Sequence, residues 1–124
     1  MTWAPGTYLV ATAQGPVEVE GLTLAGLGLR RIDVAPAAPE VWGLTHLRSG
    51  HLVCRLVGAI DEVLPIAGAL AAAGDWTFSD LRQPWEQPML AGMAICTAHP
   101  GRCLWGGPGR PDPMLAGEIA RRAA

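Results

Sequence analysis

The 124-residue sequence has no lysine and no asparagine, and its nine arginines are outnumbered by eleven acidic residues, for a net charge of −2. A protein that grips a phosphate backbone normally carries a basic excess. Nucleic-acid binding is therefore disfavoured and would need a local patch. The missing Lys and Asn, beside abundant Ala, Gly, Pro and Arg, reflect GC-rich coding rather than function. Long hydrophobic runs are missing too. The longest, Val63 to Gly74, falls short of the roughly 20 residues a membrane helix needs. Met1 to Gly6 lacks the basic and apolar segments of a secretory leader. Three cysteines are an odd number and too few to staple a scaffold. These absences lead to the expectation of a soluble, cytoplasmic chain with reduced thiols and no membrane partner.

Catalytic signatures are also lacking. There is no Gly-x-Ser-x-Gly elbow and no His-Glu-x-x-His pair. The stretch Trp105-Gly106-Gly107-Pro108-Gly109-Arg110 has no Gly-Lys-Ser/Thr, and Asp112 would repel a phosphate; it reads as a loop. Glu18 and Glu20 share a strand face, but between Val17 and Val19 they read as its solvated side.

What is present is apolar residue in quantity: half the chain is hydrophobic and only 16% is charged. This length suits one domain, which we place over 1–124, able to bury about 65% of its unfolded surface. The first half reads as strands. Tyr8–Thr12 and alternating Val17–Glu20 flank the turn signal Gln14-Gly15-Pro16. Leu29–Val34 is a third strand, ended by a loop with Pro36 and Pro39. Val41–Leu47 and Leu52–Val57 form a second hairpin around Ser49-Gly50. The second half reads as helices. Asp61 caps the first, whose stripe is Val63, Ala67, Leu70 and Ala71, with Gly74 beyond its end. Pro88 opens a second, reaching about His99, and Asp112-Pro113 opens a third. The repeated Pro-Met-Leu-Ala-Gly at 88 and 113 reads as two helix starts of common residues. Strands followed by helices give the α+β class: an antiparallel sheet of four or five strands from the N-terminal half, packed by two or three helices from the C-terminal half.

Two groupings carry the functional expectations. A two-residue turn at Ser49-Gly50 would pair Leu47 with Leu52, Thr45 with Cys54 and Gly43 with Leu56. Trp42, Leu44, His46, Arg48, His51, Val53 and Arg55 then share the opposite face. That face is apolar with Arg and Trp set into it, unlike the wet face of an ordinary antiparallel pair, and it carries interface residue types. The leading expectation is therefore a non-catalytic binding module that self-associates, with a homo-oligomer or another protein as partner. The second grouping is Cys and His. His46, His51 and Cys54 lie in one window; Cys96, His99 and Cys103 lie in another. No cofactor is expected, but a zinc site would draw on His46, His51, Cys96, His99 and Cys103. Cys54 is set apart because strand geometry sends it to the far face. The alternatives to an interaction module are a nucleic-acid-associated protein, using five Trp with Arg30 and Arg31, and a zinc-dependent or thiol enzyme.

Overall fold

The computed structural model describes residues 2–32, 40–78 and 87–105. The chain runs β1 (Ala4–Thr12), β2 (Gly15–Leu24), β3 (Leu27–Ile32), β4 (Val41–His46), β5 (Leu52–Val57), α1 (Ile60–Ala71), α2 (Gln87–Thr97) and β6 (Cys103–Trp105). All six strands join one antiparallel sheet in sequence order. The class is mixed α+β, as the sequence implies. Among the described residues the strand count is six rather than four or five, because β6 returns after the helices to pair with β5. Three residues behind Pro100-Gly101 are too few to display an alternation. The third helix expected at Asp112, the Gly106–Arg110 loop and the loop with Pro36 and Pro39 lie outside the described residues.

Alternation and turn chemistry account for the sheet. Thr12 pairs with Gly15 across Ala13-Gln14, and Leu24 pairs with Leu27 across Ala25-Gly26. Ala25 and Gly26 have φ of 55° and 88°, the positive values a tight hairpin demands at its centre. Tyr8 of β1 lies across β3 so closely that a Cβ on Gly28 would sit 2.6 Å from its ring. With Val10 it forms a small second core that Val19 and Leu47 flank.

The main core joins strands to helices. Leu27, Leu29, Leu44, Val53, Cys54 and Leu56 are buried in one cluster with Val63, Ile66, Ala67, Leu70, Ala71, Trp76, Met89, Cys96 and Cys103. The expected stripe of α1 is therefore the buried one. Its cap is not Asp61 but Ala59, whose N–H donates to Glu62 at 3.2 Å. Asp61 lies one position inside the helix, near its positive end. Gly74 lies beyond the Ala72 C-cap. Trp76 follows, fully buried, and donates its indole N–H to the Leu70 carbonyl at 2.7 Å.

The second hairpin departs most from expectation. Trp42 pairs with Leu56, Gly43 with Arg55 and Leu44 with Cys54, after which the register shifts and Thr45 pairs with Leu52. The pairing is one residue off the expected one, and such a slip turns every side chain of one strand to the other face. A bulge is the physical reason. The turn uses Leu47–Gly50 instead of two residues, closed by His46 N–H to the His51 carbonyl at 2.9 Å and Gly50 N–H to the His46 carbonyl at 2.8 Å; this moves the pairing by two and leaves the faces unchanged. Val53 is then the extra residue whose bulge adds the odd step.

Candidate functional site

The register decides where the seven proposed interface residues go. Trp42 and Leu44 share a face with Cys54 and Leu56, whereas Arg55 pairs with Gly43 on the opposite face. Leu44, His46 and Val53 are buried, with exposures of 0%, 0% and 1%. Trp42 is half-buried, its indole N–H donating to the Gly58 carbonyl at 3.0 Å. Arg48 is exposed, beside a recess of about 320 Å³ where Leu47–Gly50 meets the tip of β1. His51 and Arg55 are half-buried. The fold thus spreads these residues over two faces and the core rather than one surface.

His46 is set among core groups. Its ring stacks on Phe78 at 4.6 Å, and Nδ1 lies 2.7 Å from the Ser49 hydroxyl, which also accepts the His51 N–H at 3.2 Å. Nε2 is buried without a hydrogen-bond partner, and the Trp76 and Phe78 carbonyls lie near the ring. Burial pulls its pKa below the ordinary 6.5, and the charges of Arg48 and His51 act in the same direction. The two carbonyls oppose the shift and are outweighed.

The cysteines converge. Cys54, Cys96 and Cys103 come from β5, α2 and β6, and their sulfurs all lie within 4.8 Å of one another. Among the described residues this is the one grouping of metal-ligand side chains. Cys103 pairs with Leu56, two residues along from Cys54, so both cysteines project from one face of neighbouring strands. The last turn of α2 delivers Cys96. Turn hydrogen bonds from His99 N–H to the Cys96 carbonyl and from Cys103 N–H to the His99 carbonyl fix the connection. Cys96 and Cys103 are joined in a disulfide, contrary to the expected three reduced thiols.

Of the residues proposed for zinc, Cys96 and Cys103 come together. His46 ends β4 and His51 precedes β5, one on each side of the turn, and His99 lies in the loop between the two cysteines. None of these histidines is in the cluster; Cys54, set apart at the sequence level, is. The expected register hid it, because β6 was not foreseen and the bulge was not either. The remaining signal was Cys103-Leu104-Trp105, one period of strand alternation.

Cys54 is the one free cysteine. It is fully buried, and burial pushes its thiol up to about 12. No helix of the described residues is long and apolar enough to cross a membrane.

A groove of about 770 Å³ is lined by Thr2, Trp3, Leu24 and one stripe of α1: Asp61, Leu64, Pro65, Gly68, Ala71 and Ala72. These positions recur at helical spacing. Past Glu62, α1 has no polar side chain on any face. Pro65, Ala69 and Ala72 are exposed, and Leu64 and Gly68 are half-buried. Comparison with protein-family models, curated proteins and solved structures yields no match.

Proposed function

We propose that the protein is a non-catalytic binding module that self-associates through the outer stripe of α1 and the neighbouring Trp3. The observation that carries this reading is the composition of α1. A surface helix ordinarily sets a polar face against an apolar one, and a helix apolar all round is a covered helix. The inner stripe of α1 enters the core, while its outer stripe opens on a groove with nothing polar beyond Asp61. Gly68 and Ala72 keep that stripe shallow, so that a second helix can approach closely. A second copy of the chain brings the same stripe, and a two-fold interface is self-complementary. This surface replaces the hairpin face that the sequence suggested; the expectation of a homo-oligomer is retained.

Gly68→Arg is the discriminating substitution. A Cβ at Gly68 meets nothing within 4 Å, and Arg is a better helix former than Gly. The monomer therefore keeps its fold while the stripe gains a charge. The wild type is expected to run as a dimer in light scattering at micromolar concentration, and Gly68→Arg as a monomer of unchanged circular dichroism. Equal masses for the two proteins would contradict the proposal.

A further inference from the structure

We propose that, once the Cys96–Cys103 disulfide is reduced, Cys54, Cys96 and Cys103 form a three-thiolate site for a thiophilic divalent cation, Zn²⁺. This goes beyond self-association and does not depend on it. The sequence supplies three cysteines in all, and the fold gathers all three sulfurs within 4.8 Å from elements up to 49 residues apart. A disulfide uses two of them and gives the third no role. A tetrahedral thiolate site uses all three.

The scaffold holds these donors on regular structure. Cys54 and Cys103 sit on paired strands, and Cys96 is in the last turn of a helix. The loop that links Cys96 to Cys103 is itself anchored. The Arg102 carbonyl accepts the Val57 N–H at 2.8 Å, and its guanidinium pairs with Glu62. Reduction therefore frees the sulfurs without freeing the strands that carry them. A way in also exists. A recess of about 190 Å³, lined by Met93, Cys96, Thr97, Cys103 and Trp105, opens beside two of the three sulfurs. Water in that recess is a natural fourth ligand.

The chemistry balances in two steps. A dithiol reductant gives two electrons and two protons to the Cys96–Cys103 bond, leaving two thiols and an oxidised reductant. Zn²⁺ then displaces three protons from three thiols, forming a zinc tristhiolate of charge −1. The oxidised chain offers one thiol and no site.

The test uses the full chain, reduced by a dithiol under anaerobic conditions and freed of it, then titrated with Zn²⁺ against a chromophoric chelator. One ion per chain and release of close to three protons at neutral pH are expected. Co²⁺ in place of Zn²⁺ should give thiolate-to-metal absorption in the near ultraviolet. The oxidised chain should bind neither. Loss of a second-sphere group alone weakens metal sites about 10–100-fold, so Cys54→Ala, which removes a ligand, should weaken binding by more than about a hundredfold. Cys103→Ser, which removes a different ligand and nearly keeps the side-chain volume, should do the same and serves where Cys54→Ala fails to fold. No stoichiometric ion in the reduced wild type would overturn the proposal. So would equal affinity in a folded Cys54→Ala chain, or equal binding by the oxidised protein.

Discussion

At the scale of single residues, burial acts on His46 and Cys54 in the same sense, disfavouring whichever form carries charge. For His46 this has a consequence for stability. Its folded pKa lies below the ordinary 6.5, so between the two values the unfolded chain binds more protons. Stability is then complete above about pH 6.5 and falls as pH is lowered, by at most about 1.4 kcal/mol per pH unit, until the folded ring is protonated. Urea unfolding at pH 7.5 and 5.5 should show this loss, and His46→Leu should lose most of it. Ala25 provides a second residue-level prediction. It holds φ of 55° at a hairpin centre, where a Cβ costs about 1–2 kcal/mol. Ala25→Gly should raise stability by about 0.5–1 kcal/mol in the same assay. Neither residue is conspicuous in the sequence. His46 reads as a surface group because alternation alone places it, and Ala25 is not of a type, such as Gly or Asn, that signals a positive φ.

At the scale of elements, legibility follows length. The α1 stripe was readable because it repeats its period, whereas the first hairpin was readable only over Tyr8–Thr12 and Val17–Glu20; the structure extends its strands to Ala4 and Leu24, where Gly6 and Gly21 interrupt the alternation. The β4–β5 pair was readable as a hairpin but not in register, since the one-residue bulge at Val53 leaves the hydrophobic pattern intact and changes which faces the two strands share beyond it. That single ambiguity moved Trp42 and Leu44 from a supposed outer surface to the face of Cys54 and Leu56. It also concealed the cysteine cluster, whose third contributor, β6, is three residues long. For α1 the element-level prediction is a pair of opposite effects. Gly68→Ala should stabilise the monomer by up to about 1 kcal/mol through helix propensity. The same methyl should weaken self-association, because it stands on the stripe where two copies approach. Thermal unfolding of dilute protein and a dilution series by light scattering separate the two.

At the scale of the whole molecule, the Cys96–Cys103 link ties the last strand and second helix to a sheet formed otherwise from the first 57 residues. The bridge closes a short loop, with a sequence separation of 7. The chain-entropy model gives about 2–3 kcal/mol for such a closure. Reduction without metal should lower the unfolding free energy by about that amount, read as a shift in urea midpoint. α1 has one stripe in the shared core and the other on the open groove. Its lack of polar residues past Glu62 supports reading the molecule as half of an assembly. The most direct check is native mass spectrometry of the wild type and Gly68→Arg at matched micromolar concentrations. A wild-type dimer beside a folded Gly68→Arg monomer is the result expected from an α1 interface. A wild type that stays monomeric, or a Gly68→Arg dimer of undiminished abundance, would contradict it.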